Sequence, residues 1–513
     1  NVTLEKEYSY TIEAKPCEIL EITPDAISDE MFTGYFSQKF TLENSDGIVT
    51  WSGDNLPKGL SIDPATGVLS GTLQQTGSIT FSLTATEESG CSKIQDYTIN
   101  VSEFNYQAGP HVSWITPIYG SGFDHSKSSA IDKEGNIYFS TTYGDITFNE
   151  SASFPYSSNP DALVAKYNGS NGTFMWGRRI GGAEVSGRNE QGQAVATDPT
   201  TGDIVFTGIV TPDALVGDLT SSEPIPTNGG RDMFLVRFNP QGNILWHKSI
   251  GSTADWEAGI NTIFDKKGNI YALGYKAAGP INIELGDGTT EVIGDNRLML
   301  IKFNGEGKAI WSKGFGSSGG SQESYGLVVD EANNVYISGV VNGGTLDFGN
   351  GKSVDAKTDV SFIAKYNENG VCQWVSQIGS AKSVLPGRGH GLEIDSQGNL
   401  YYATFSSGTI EIPNVGTLTL AGTNAVVYKF NPNGECISYI QLPASSGSGA
   451  TSVHVDKNDN LYVVGYYKSD IILKGSVKLP LPPNAAISSF VAKYNKEGDL
   501  IWAMPAGNNI SSG

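Results

Sequence analysis

Two short phrases return in step six times along this 513-residue chain. The first reads Asp132-Lys-Glu-Gly-Asn-Ile-Tyr138 and comes back from Asp198, Asp265, Asp330, Asp395 and Asp456, at intervals of 66, 67, 65, 65 and 61 residues. The second reads Lys166-Tyr-Asn and returns as Arg237-Phe-Asn, Lys302-Phe-Asn, Lys365-Tyr-Asn, Lys429-Phe-Asn and Lys493-Tyr-Asn. A tryptophan follows at Trp176, Trp246, Trp311, Trp374 and Trp502; the fifth copy has Ser438-Tyr439 there. A period this long marks a repeat architecture, in which each unit buries its apolar face against its neighbours.

Each phrase has a physical meaning. Asp-x-x-Gly-Asn ahead of an alternating apolar run is a tight hairpin turn, because Asp accepts backbone N–H groups and Gly or Asn tolerates positive φ. Ile137-Tyr-Phe-Ser and Leu163-Val-Ala-Lys-Tyr read as strands, and Asn-x-x-Gly turns the chain into a tryptophan strand such as Ile244-Leu-Trp-His-Lys. With the short strand before each Asp, every unit supplies four strands in meander order. Radial repetition of such units is a β-propeller of six, or with one more seven, four-stranded blades. Hairpins in every unit argue against a solenoid, whose coils rarely double back. Trp114-Ile-Thr-Pro matches a seventh tryptophan strand and is expected to close the ring by pairing the start of the repeats to their end. Composition agrees, with 63 glycines, aromatics at 10% and charged residues at only 17%, the profile of short strands and turns.

Acidic residues outnumber basic ones by 54 to 33, a net charge of −21. A field of that sign repels phosphate backbones and anionic lipid, which excludes nucleic-acid and membrane-surface binding from the expectation. No apolar run approaches the roughly 18 residues of a membrane-spanning helix. The chain opens Asn-Val-Thr-Leu without an initiator Met, and is read as a mature product or part of a longer chain. Cys17 and Cys91 stand near the two ends of one prospective domain, and a disulfide between them is expected, implying an oxidising compartment. Cys372 and Cys436 occupy equivalent places in neighbouring repeats, too far apart to bridge, and are expected to be buried free thiols.

Residues 1–104 read as an all-β sandwich, 105–110 as a linker and 111–513 as the propeller. Leu56-Pro-Lys-Gly-Leu-Ser-Ile-Asp-Pro-Ala-Thr-Gly-Val-Leu-Ser-Gly-Thr72, Gly77-Ser-Ile-Thr-Phe-Ser-Leu-Thr-Ala-Thr86 and Tyr35-Phe-Ser-Gln-Lys-Phe40 resemble the Ig (cadherin-related) module of bacterial surface proteins over about residues 16–101. There, Leu60, Ile62, Val68 and Leu69 are expected in the core. The repeat phrases resemble the bacterial SBBP-type β-propeller repeat, over residues 111–513. These resemblances imply an extracellular or cell-surface protein of a bacterium, with the Ig-like domain spacing and presenting the propeller.

Catalytic signatures are missing from the sequence. His111, His125, His247, His390 and His454 lack zinc-ligand spacing, and neither a Cys-x-x-Cys nor a nucleophile elbow occurs. No catalytic residue, metal ligand or cofactor is assigned; calcium lacks a clustered set of acidic ligands. Differences between blades are more informative than their common residues. The loops from each outer strand to the next inner strand should open on one mouth of the propeller. They carry Asp124 and His125, Arg188 and Glu190, Trp256 and Glu257, Glu323 and Tyr325, and Arg388 and His390; the crossing Ala444–Ala450 is small and uncharged. The long segments 144–160 and 343–358 should reach the same mouth. Such loops on a rigid scaffold are a candidate ligand surface. The expectation is therefore a secreted or surface binding protein whose partner is a glycan or protein. A structural subunit of a larger surface assembly is the alternative. A polysaccharide lyase or glycosidase is less favoured: hydrolysis needs two carboxylates about 5–9 Å apart, with Glu190, Glu257 and Glu323 to choose from.

Overall fold

The computed structural model describes residues 20–102 and 125–509, except 28–29, 33, 46, 74, 145, 150–151, 155–159, 182–189, 219–220, 254–255, 278, 295–296, 317–320, 379–383, 386–390, 413–414, 475–476 and 482–484. The described residues form strands and turns throughout, with no helix. They divide into two compact units, residues 1–108 with 472–479, and residues 109–471 with 480–513.

The first unit is an Ig-like sandwich. Its four-stranded sheet runs Glu30–Phe32, Ser92–Ser102, Gly77–Glu87, Val49–Asp54, and its three-stranded sheet runs Gly34–Lys39, Val68–Leu73, Leu60–Ile62. Alternation along Gly77–Glu87 turns Ile79, Phe81, Leu83 and Ala85 into a core shared with Phe40, Trp51, Leu69, Tyr97 and Ile99. Leu69 is fully buried, whereas Leu60 and Ile62 pack on the core's margin and Val68 is half-buried. The turn Asp63–Val68 shows why its residues are needed. Asp63 accepts the backbone N–H groups of Ala65 and Thr66, both at 2.9 Å. Gly67, at φ 70°, lies so close under Trp51 that a Cβ would stand 2.7 Å from the indole.

In the second unit, six antiparallel meanders follow one another. Their first strands are His125–Ile131, Gln191–Thr197, Glu257–Phe264, Ser321–Val329, Leu392–Ile394 and Ser448–Val455, and each packs on the next. The tryptophan strands lie at the opposite edge of each four-stranded set. This is the propeller-like, radial order that the repeat implies. The Trp114 segment and the 105–110 linker lie outside the described residues.

The repeated phrases converge on one network per blade. In the first, Asp132 accepts the backbone N–H of Glu134 and of Asn136, at 3.1 and 2.8 Å, and the Asn136 side-chain amide at 3.0 Å. Lys166 of the Lys-Tyr-Asn phrase reaches the same carboxylate at 3.1 Å while crossing the Tyr138 ring at 4.9 Å. Both partners are buried, so charge, hydrogen bonds and ring face compensate one another's desolvation. Lys302–Asp265, Lys365–Asp330, Lys429–Asp395 and Lys493–Asp456 repeat the pair, and Arg237 replaces it with a fork to Asp198 and Asp203. The tryptophans latch blade to blade. Trp176, Trp246, Trp311 and Trp374 donate their indole N–H to Pro240, Gly305, Glu368 and Pro432 of the following blade, at 2.9–3.2 Å.

The long segments between second and third strands differ from the expected loops. Residues 343–358 continue as the hairpin Val335–Gly349/Lys352–Tyr366. Leu346, Phe348, Val354 and Ala356 alternate inward, and Asn350-Gly351 supplies two positive-φ positions, 53° and 68°, at the tip. Residues 144–160 contain the smaller hairpin Ile146–Asn149/Ala152–Phe154. Cys372 and Cys436 are buried free thiols, as expected.

Candidate functional site

Meander geometry puts the Asp turns and the Asn-x-x-Gly turns at one end of every blade, and the outer-to-inner crossings with the segments between second and third strands at the opposite end, the mouth. Trp256 stands there with 46% of its surface exposed. Its carbonyl accepts the N–H of Ala277 at 2.8 Å, and the next residue's N–H, from Glu257, bonds the Arg231 carbonyl at 2.8 Å. The backbone is thus pinned on both sides. The Arg231 guanidinium lies 5.6 Å from the Trp256 ring centroid, giving a flat apolar face beside a fork of donors.

Beneath this face the carboxylates turn inward. Glu257 is fully buried and accepts from Ser252 Oγ at 2.9 Å and Ser252 N at 3.3 Å. Asp232, also fully buried, accepts from Asn228 N at 2.6 Å, while its Oδ1 is buried without a hydrogen bond. Burial raises both groups above the ordinary carboxylate range, and each partly offsets this with its local donors. One blade earlier the same pair recurs as Asp161 and Glu190. Glu190 takes a short hydrogen bond from Thr211 Oγ1, and its N–H bonds the Pro160 carbonyl at 3.1 Å. Burial pushes Asp161 up to about 7; Arg179, at 3.4 Å, opposes the shift and Glu190 adds to it. Gly181 and Gly251, each closing a tryptophan strand, make room for the aspartates: a Cβ would stand 2.3 and 2.1 Å from the respective carboxylates.

The structure therefore brings Trp256 and Glu257 together, one exposed and one buried, and sets Glu190 inside the preceding junction. Tyr325 is half-buried, and its carbonyl accepts Asn261 Nδ2 at 2.8 Å. His125 and Glu323 lie in first strands, opposite Thr142 and Val340. Asp124, Arg188, Arg388 and His390 lie outside the described residues. Arg231, Asp161 and Asp232 escaped the sequence reading, although a signal was present. Five residues before the Lys/Arg of each second phrase the six blades read Asp161, Asp232, Arg297, Val360, Asn424 and Ser488, a repeat position that the scaffold leaves free to vary. Among the described residues, no three His, Cys, Asp or Glu side chains group to hold a metal. No helix is long and apolar enough to cross a membrane.

Fold and site together define a class: a propeller-like β protein with an Ig-like domain ahead of it. Residues 22–102 match the family model described as putative Ig domain. An uncharacterized WD repeat-containing protein of Acanthamoeba polyphaga mimivirus is 22% identical over 422 residues, covering 68% of this chain and 30% of the relative. The chain thus spans less than a third of that relative's length. A quinonprotein alcohol dehydrogenase-like protein from Bacteroides thetaiotaomicron is 12% identical, with TM-score 0.35 over 94% of this chain and 95% of the other. The Synechocystis apocarotenoid oxygenase is 8% identical, with TM-score 0.36 over 95% of each chain. Likenesses at this level transfer no activity.

Proposed function

We propose that this is an extracellular or cell-surface bacterial protein that binds a glycan or protein partner at the propeller mouth without turning it over. The Ig-like domain acts as spacer, and the repeats belong to the SBBP type. The observation that carries the reading is the exposed Trp256 ring with Arg231 beside it. The peptide unit that joins it to Glu257 is held by Ala277 on one side and Arg231 on the other, so stacking on a sugar or peptide group costs little conformational entropy. The buried acids serve this surface from below. Glu190 and Glu257 are engaged by Thr211 and Ser252, holding their loops in place. The reading includes a Cys17–Cys91 disulfide and no cofactor.

The test is a glycan array and an envelope pull-down with the intact chain, repeated with Trp256→Ala and with Arg231→Ala. Each variant should weaken retention about tenfold, the scale of one interface anchor, at a nearly unchanged melting temperature. Unaltered retention by both variants, or glycan cleavage by the wild type, would defeat the proposal.

A further inference from the structure

The tryptophan strands of the first two blades differ at their outer edges. In the first blade, the hairpin Leu215–Gly217/Ser222–Pro224, inserted from the second blade, pairs with strand Phe174–Gly181. Gly217 stands opposite Arg179, Val216 opposite Ile180 and Leu215 opposite Gly181. Val216 is fully buried, and Asp218, two residues on, reaches Arg178 at 3.9 Å. The chain thus carries its own example of a strand seated on a blade edge.

Aligned through Trp176 and Trp246, the residues Lys248, Ser249, Ile250 and Gly251 of the second blade replace Arg178, Arg179, Ile180 and Gly181. Here no described strand covers the edge. The equivalent insert of the third blade, Ile281–Glu284/Thr290–Ile293, is bridged instead to its own blade through Leu285 and Ala309. Between this insert and the edge lies a cleft of about 180 Å³, lined by Lys248, Ile250, Gly251, Ile281, Ile283 and Phe303 among others. Among the described residues Lys248 has no ion-pair partner: its Nζ bonds the Gly307 carbonyl and lies 5.1 Å from the Phe303 ring.

An open strand edge offers a row of main-chain donors and acceptors, and a neighbouring cleft selects the alternate side chains of whatever adds to it. We infer that the outer edge of Ile244–Ile250 docks an extended peptide of a partner protein as one more antiparallel strand, with an apolar residue opposite Ile250 and an acidic residue two positions later facing Lys248. The order apolar–small–acidic is that of Val216-Gly217-Asp218. Neither Trp256 nor Arg231 lines this cleft, and the inference stands without that proposal. A corresponding cleft of about 230 Å³ flanks Ser376, Gln377 and Ile378 in the fourth blade. It has Ser376 where the second blade has Lys248, and so serves as an internal control.

The probe is a fluorescent, capped peptide with the sequence of Asp213–Asp218, titrated onto the intact protein with hydrogen exchange followed in parallel. Saturable binding should slow exchange over residues 248–251 and leave 376–378 unchanged. Methylating the glycine nitrogen, which faces the edge where the valine nitrogen faces away, should weaken binding about tenfold, as loss of a main-chain hydrogen bond predicts. A peptide with Lys at the Asp218 position should bind less well to the wild type and regain affinity on Lys248→Glu. No saturable binding, protection away from 248–251, or an N-methyl peptide that binds equally well would overturn the inference. The N-methyl comparison uses the wild type alone, so it decides even if Lys248→Glu fails to fold.

Discussion

Asp161 is a carboxyl group held where water does not reach, with Glu190 beside it and one guanidinium at 3.4 Å. Its folded-state value of about 7 exceeds the ordinary value near 3.9. The fold therefore binds this proton more tightly than the unfolded chain does. Its contribution to stability is complete below about pH 4 and is lost as pH rises through about 7. Calorimetry between pH 5 and 8 should show the melting temperature falling as pH rises, and Asp161→Asn should flatten that slope. General repulsion in a chain of net charge −21 acts in the same direction, so the difference between the two proteins is the diagnostic quantity. An equal slope in both would remove Asp161 from the account. The neighbouring Trp256→Ala exchange should leave this profile untouched, because the ring lies outside the buried pair.

At the scale of elements, stability is concentrated where one blade meets the next. Trp311 is buried, donates to the Glu368 carbonyl at 2.9 Å, and lies on Gly370 of the following blade. A Cβ at Gly370 would stand 2.9 Å from the indole, at φ 74°. Trp311→Ala should cost about 3–5 kcal/mol, as for other large core truncations, and Gly370→Ala about 1–3 kcal/mol. Both changes break one contact, so urea denaturation of the double variant should show less than the summed cost. Full additivity would mean that the latch is two unrelated features. The turn, the strand and the tryptophan were all legible in sequence, since each is a local demand that recurs along the chain, the turn and strand in six copies and the tryptophan in five. The partner of each tryptophan was not, because it lies about 60 residues away and only packing selects it. The hairpin at 343–358 carried a readable signal, Asn350-Gly351 between alternating apolar residues, that the length of the segment obscured.

For the whole molecule, the cysteines give the most direct test. Cys372 and Cys436 are free and buried, and burial raises their thiols to about 11 and about 12. At neutral pH they should resist alkylation until the protein is denatured. Cys91 is not among the free thiols, and Cys17 lies outside the described residues. Non-reducing peptide mapping should join Cys17 to Cys91 and leave the other two unpaired. Recovery of a Cys372–Cys436 peptide would contradict both structure and proposal.

Period, turn chemistry and alternation by themselves determined the repeat, its four strands and the all-β sandwich of the first hundred residues, because these are properties of residues close together in the chain. The tertiary structure decided which polar groups face water. Sequence places Trp256 and Glu257 side by side in one loop, yet successive residues at a strand's start point to opposite faces. The ring is therefore exposed, while the carboxylate is buried against Ser252. Sequence likewise gives every blade an insert between its second and third strands. Only packing sets the second blade's insert on its neighbour's edge and the third blade's on its own, because that choice depends on which surface each hairpin's apolar side chains can cover.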